Sequence, residues 1–291
     1  MTSTVSCIIP THGRPEYLEE ALASVADQRS RPYEIIVVSD DGDERSRRIV
    51  DAVRAREQIQ ITYVHNVEGQ GASSSRNLGA SRAGGSHLAF LDDDDLWDKN
   101  YLADVFRVLE TDPPAECVVT WLEMFRGDRR VPGLMMRERL KPRDVAAINP
   151  GFTGSNFVVR AEAFHDIGGF DSDLRVINDG DFIFRYLKAG HTYRVNKQHQ
   201  VKQRKHETGQ LTAATEMRAQ GLEKYLAKHS ADLRLRDRRY MRLAIHRIRY
   251  HVASGRGQKL RYLLLGLANA TPRAVWISIT GLGARDVWRA K

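Results

Sequence analysis

Only two of the 291 residues are cysteine, Cys7 and Cys117, and each lies inside an apolar run. That excludes zinc-ligand spacing and a disulfide-stapled scaffold, and leaves two buried thiols in a reducing compartment. No run of about 18 apolar residues exists, so no membrane span is expected. The first apolar run, VSCII, is too short for a secretory signal and leads at once into polar THGRP. The phosphate-cradling patterns GxGxxG and GxxxxGK(S/T) are both missing, which argues against a dinucleotide-binding or P-loop enzyme. What remains is a cytoplasmic chain, long enough for one large domain or two small ones.

Acidic residues are scarce in the second part of the chain. The net charge is +8, but from residue 197 onward 21 Lys and Arg face 6 Asp and Glu, whereas the first 196 residues carry 24 against 31. A strongly basic tail behind a mildly acidic front suggests an anionic contact: phosphate, nucleic acid or a membrane face. A solvated arginine-rich helical surface is the plainer alternative.

Short apolar runs at 5–9, 34–38, 61–64 and 87–91 read as buried strands. Between them, 15–28, 45–56 and 73–83 carry apolar residues at helical spacing, as does 100–109 after the fourth. Such alternation predicts an α/β fold with a parallel sheet covered on both faces. In such sheets ligands bind beyond the carboxyl ends of the strands. Those ends carry Thr11, His12, Gly13 and Arg14, then Ser39, Asp40, Asp41 and Gly42, then Asp92, Asp93, Asp94 and Asp95. The polar groups converge on one edge.

Four consecutive aspartates at a strand end need relief, since two carboxylates about 4 Å apart repel by about 4 kcal/mol at an effective dielectric near 20. Magnesium and manganese supply it where one or two carboxylates share the ion with substrate phosphates. Helix capping by Asp94 or Asp95 is the structural alternative.

The ordered segments VSCIIPTHGRPEYLEEALASV, EIIVVSDDGD, GASSSRNLGASRAGGSHLAFLDDDDLW and GGFD…NDGDFIFRYLKAGH resemble glycosyltransferase family 2 over residues 4–206, about two thirds of the chain. The resemblance implies an inverting, nucleotide-sugar-dependent enzyme of the GT-A fold, a Rossmann-like, mostly parallel central sheet covered by helices. Residues 1–206 would be the catalytic domain, with 1–110 binding the nucleotide-sugar and 111–206 holding acceptor and base. Residues 207–291 would form a basic helical extension. Carried over by position, Pro10, Thr11 and Arg14 fall in the nucleotide-side loop. Asp40 matches the aspartate that contacts the base, with Asp41 the alternative. Arg76 and Asn77 match a donor-site pair, Asp92 and Asp94 the DxD, and Asp93 a ribose contact. Gly154 and Ser155 match a loop near the transferred sugar, and Asp179 the catalytic base, with Asp181 in reserve. Asp94, Asp92 and His206 would hold Mn2+ or Mg2+. The chain departs from the family at Asp43, where a serine is usual, and at Asn178, where a glutamate is usual.

The implied reaction moves a sugar, with a UDP-sugar the first choice of donor, to a hydroxyl on a glycan, a lipid-linked or a small-molecule acceptor. Trp97 and Trp121 are candidates to stack on sugar or to fill core. Residues 124–144 read as a partly basic mobile loop able to close over substrate. In the tail, 201–206 reads as a basic strand and 210–229 and 233–253 as helices, the latter with an apolar stripe of Met241, Ala244, Ile245, Ile248 and Val252. The more apolar 258–268 and 274–282 suit packing, a homodimer interface or peripheral contact with the inner face of a membrane. An Asp-dependent phosphatase also fits FLDDDD, but leaves the strand-two and Arg76 motifs unexplained. A non-enzymatic anionic-polymer binder would use the tail, yet no nucleic-acid motif accompanies it, and no nucleic-acid partner is expected.

Overall fold

A computed structural model describes residues 3–69, 71–111, 115–206 and 214–272. The front of the chain alternates as expected: β1 (Val5–Thr11), α1 (Pro15–Ala26), β2 (Glu34–Ser39), α2 (Glu44–Glu57), β3 (Ile61–His65), α3 (Ala72–Arg82) and β4 (His87–Phe90). Every residue of β1, β2 and β4 is buried. That is why these strands read as unbroken apolar runs, while β3, at the sheet edge, buries only Ile61 and Val64. Pro15 opens α1. Asp43 caps α2, its carboxylate accepting from the Arg45 and Ser46 amides. The aspartate that stands in place of serine therefore does the same capping job.

The second half is less regular: β5 (Leu96–Trp97), α4 (Tyr101–Thr111), β6 (Cys117–Arg126), β7 (Arg129–Pro132), α5 (Pro142–Val145), β8 (Phe157–Arg160), α6 (Ala161–Asp166), α7 (Asn178–Lys188) and β9 (Arg194–Arg204). The sheet order is β3-β2-β1-β4-β8-β6-β9-β5, with β7 on β6. The first four strands are parallel. Beyond β4 the ladder is mixed, with β8 antiparallel to β4 and β6, and β9 parallel to β6. So the front half is wholly parallel and the second half mixed. The chain runs outward from β1 to β3 and then returns to β4 on the other side, which makes the β1/β4 boundary the switch point where such sheets open a crevice.

Each sheet face has its own core. One joins Val5, Cys7, Ile9, Leu18, Val50 and Leu102, under α1, α2 and α4. The other joins Ile8, Phe90, Phe157, Phe164, Phe170 and Phe182, under α3, α6 and α7. Both cysteines are buried free thiols, and burial pushes both well above the usual range.

One expectation is corrected here, and the stack-or-core alternative for the two tryptophans is decided. Residues 124–144 are not simply a loop: β6 and β7 form a hairpin through Gly127, whose φ of +53° suits a tight turn. Trp97 is core, its ring tilted against Tyr101 with centroids 4.6 Å apart. The Trp121 indole N–H is spent on the Met136 carbonyl, at 3.0 Å. The tail folds as α8 (Glu216–Lys228), α9 (Leu235–Val252) and α10 (Arg256–Asn269). Met241, Ile245 and Ile248 of the expected stripe are buried, but Val252 is exposed. The segment 274–282 and residues 210–213 of the expected helix lie outside the described residues. Among the described residues, no helix is long and apolar enough to cross a membrane.

Candidate active site

The four aspartates follow β4 in a tight turn, closed by the Asp95 amide donating to the Asp92 carbonyl at 3.0 Å. Asp93 and Asp95 are buried, whereas Asp92 and Asp94 keep a third and a fifth of their side chains open. The buried pair builds the site. Asp93 accepts from Thr11 Oγ1 at 2.8 Å and pairs with Arg14 at 3.0 Å, tying β4 to β1 across the switch point. Burial pushes its carboxyl up to about 7, against the pull of Arg14. Asp95 accepts from Ser155 Oγ at 2.7 Å and from the Arg204 amide at 3.0 Å. Burial, with Asp94 and Asp92 close by, holds it well above the usual carboxylate range.

The open pair faces cations. Asp94 accepts from Arg14 at 2.6 Å and lies 2.8 Å from His206 Nε2. Arg204, stacked between the rings of Tyr17 and Phe125, donates to the Asp94 carbonyl at 3.0 Å. Asp92 is hydrogen-bonded to Arg76, whose side chain is 4% exposed. Arg76 comes from α3 and lies 5.1 Å over the Phe170 ring. Its Nη1 is 3.9 Å from Asp179 Oδ1 at the start of α7, so one guanidinium stands between Asp92 and Asp179. The Nε and Nη1 groups of Arg76 have no hydrogen-bond partner, and neither does Asp179 Oδ1. Buried donors left unmade cost about 1–3 kcal/mol each, so these atoms ask for a ligand.

Asp179 is the second residue of α7, where the positive end of the helix favours a carboxylate. Burial raises it to about 6, while Arg76 and the Gly154 amide pull down. The residue two before it, Ile177, has φ +61°, uncommon for a β-branched side chain and frequent at strained functional sites. Gly154 has no room for a side chain, since a Cβ there would run into the Arg76 guanidinium.

Several expected roles change. Asp181 is no reserve base: it is fully buried and bonded to Arg185, Lys228 and His229 at 2.7–2.8 Å. Burial alone would raise it, but those partners hold it at about 2. Asn77 spends its amide on Phe170, donating to its carbonyl at 2.7 Å and accepting from its amide at 2.9 Å. It anchors the GGFD turn instead of facing a donor. Ser155 is fully buried, and its hydroxyl joins Asp95 to the Asp92 amide, while Trp97 Nε1 donates to its carbonyl. It holds the loop from behind and is not open to a sugar. Pro10 is buried in β1, paired opposite Val38. It lies within the strand and offers no surface to a ligand.

Asp40 and Asp41 separate cleanly. The Asp41 carboxylate closes its own turn, accepting from Ser39 Oγ at 2.7 Å, and faces His12 at 3.8 Å. Asp40 turns toward Asn66 and Ser75, hydrogen-bonded to both, next to Arg76. Asn66 and Ser75 carried no signal in the sequence as site residues. Neither did the stacked role of Arg204, whose partners lie far away along the chain.

Among the described residues no group of three His, Cys, Asp or Glu could hold a metal ion unaided. The donors at hand are two partly open carboxylates and an imidazole. Of these, Asp94 and His206 are brought together at 2.8 Å, and a hard divalent ion there would take most of its ligands from substrate phosphates.

This sheet and its switch-point site belong to the GT-A class of α/β folds. TarS of S. aureus in complex with UDP-GlcNAc superposes with a TM-score of 0.66 at 17% identity, over 93% of this chain and 82% of that one. The mannosyltransferase PcManGT of Pyrobaculum calidifontis, in complex with GDP-Man and Mn2+, gives 0.62 at 19% identity, over 97% and 80%. At those identities the likeness is one of fold. The profile of glycosyl transferase family 2 matches residues 6–168, more than half of the sequence, and the chain belongs to that family. It is 28% identical over 191 residues to an uncharacterized glycosyltransferase of Haemophilus influenzae, spanning 63% of this chain and 62% of that protein. It is 36% identical over 99 residues to TuaG of Bacillus subtilis, a putative teichuronic acid biosynthesis glycosyltransferase, of which it spans 38%.

Proposed function

We propose that the protein is an inverting glycosyltransferase that moves a sugar from a nucleoside diphosphate sugar to an acceptor hydroxyl in one displacement. The observation that carries this is the Arg76 bridge. A buried cation with two unfilled N–H groups joins the carboxylate at the end of β4 to the carboxylate at the head of α7. A diphosphate on one side and a sugar hydroxyl on the other would fill those donors.

The roles follow from position. Asp40 and the β1 loop from Thr11 to Arg14 would hold the nucleoside. Arg14 and Arg76 would balance phosphate charge. Asp92, Asp94 and His206 would hold a divalent cation, which supplies Lewis-acid stabilisation of the leaving diphosphate. Asp179 would take the proton from the attacking hydroxyl. A base near 6 is ionised at neutral pH and accepts a proton more readily than an ordinary carboxylate. Gly154 keeps that carboxylate in reach through its amide. The relation to TarS makes a UDP-sugar the first donor to try, with a GDP-sugar second, and TuaG makes a glycan the first acceptor class.

The test is nucleotide release from a panel of UDP-, dTDP- and GDP-sugars with Mn2+, where water stands in for the acceptor. Asp179→Asn should bind the working donor as well as wild type while release falls by about 10²–10⁴. Unchanged release in that variant would remove Asp179 from the base role.

A further inference from the structure

Helix α10 is amphipathic the wrong way round for a helix packed on a protein. It meets α9 through its small and polar side: Gly266 is buried against Leu243 and His246, and Tyr262 stacks with His246. Its leucines point outward. Leu260, Leu263, Leu264 and Leu267 are 57%, 47%, 57% and 61% exposed. Their spacing of i, i+3, i+4 and i+7 puts them on one face. A globular helix normally buries that row.

The rim of this face is cationic. Arg256, Lys259 and Arg261 on α10 are exposed, and the helix has no acidic residue. Over 235–269, nine Lys and Arg stand against Asp237 alone. An apolar row inside a basic rim is the pattern of a helix that lies in a lipid–water interface. A second copy is a poorer occupant. A two-fold contact would press three cations of one α10 toward three of the other with no acid on either helix to relieve them.

We propose that the exposed leucine face of α10 docks onto an anionic lipid surface, with the leucines entering the acyl boundary and the basic rim meeting lipid phosphates. The surface is formed by α9 and α10, apart from the Asp92–Arg76–Asp179 centre, so it stands or falls independently of the proposed activity.

The experiment is co-sedimentation of the full chain with phosphatidylcholine vesicles, with and without phosphatidylglycerol. It is run at about 0.1 M and about 1 M salt, where the screening length is about 10 and about 3 Å. Two variants accompany the wild type: Leu260→Gln, Leu263→Gln, Leu264→Gln and Leu267→Gln combined, and Arg256→Gln, Lys259→Gln and Arg261→Gln combined. Circular dichroism melting checks that both still fold. The wild type should partition to the anionic vesicles and be released by salt. The leucine variant should bind at least about tenfold more weakly. The charge variant should lose about fivefold per residue removed. No pelleting with anionic vesicles overturns the proposal, as does binding that survives in the leucine variant. Self-association that the leucine substitutions abolish, without vesicle binding, would assign the face to a second copy instead.

Discussion

Asp179 and Asp181 lie two residues apart on the first turn of α7, yet their surroundings drive them in opposite directions. Asp179 faces the crevice, with one cation 3.9 Å away, and burial lifts it to about 6. Asp181 faces inward, and hydrogen bonds from His229, Arg185 and Lys228 hold it at about 2. The same division runs through the aspartate quartet, where the buried members join strands and the open members face cations. Residue type supplies a carboxylate; the neighbours decide whether it is a tool or a rivet.

Exchanging the two roles by mutation should separate activity from stability. The largest effect expected is on rate: Asp179→Asn should lower nucleotide release by about 10²–10⁴, read in a coupled nucleotide assay. The same variant should melt higher, because at neutral pH it removes a carboxylate that the fold holds above the ordinary value. With a quarter of the side chain open to solvent, the gain is about 1–2 kcal/mol at most. Asp181→Asn should do the reverse. It strands Lys228, Arg185 and His229, and should cost about 3–5 kcal/mol in denaturant unfolding. An Asp181→Asn protein that is stable and inactive would break the comparison.

The pH dependences should also diverge. Asp179 must be ionised to work, so nucleotide release should climb tenfold per pH unit below about 6 and level off above it. The Asp181 stabilisation follows the opposite geometry. Its folded value of about 2 lies below the roughly 3.9 of an unfolded aspartate, so the contribution is complete above about pH 4 and drains away as pH falls toward 2. Acid unfolding of wild type and Asp181→Asn should converge in that window. The smallest effect tests a sequence departure. Asp43→Ser restores the family's usual residue at the α2 cap and should change stability by less than about 0.5 kcal/mol, since both residues cap well.

The front half of the fold was legible because its strands are covered on both faces, so their apolar runs stand out from the helices between them. The strand-end residues Thr11, Arg14, Asp40 and the quartet followed from that topology and Arg76 from the resemblance, and the structure does bring them together with Asp179. The β6–β7 hairpin and the mixed ladder were not legible. Their pairings depend on partners such as β8 and β9, tens of residues later, and a run like CVVTWLEMFR does not announce its neighbour. Asn77, Ser155 and Asp181 show the same limit at the level of side chains. Each sits in a motif, but its bonds go to Phe170, Asp95 and His229, and no local pattern records where a polar atom is spent. The leucine row of α10 was visible as an apolar stretch. That it points away from α9 could be known only once the helices were packed.

The central claim is that the centre built on Asp92, Asp94, Arg76 and Asp179 receives a nucleoside diphosphate together with a divalent cation. Calorimetric titration of UDP with and without manganese, on wild type and Asp94→Ala, tests it most directly. Binding should require manganese and should be lost in the variant, whose carboxylate lies 2.8 Å from His206. Failure of UDP, dTDP and GDP alike to bind the wild type with manganese present would contradict the account.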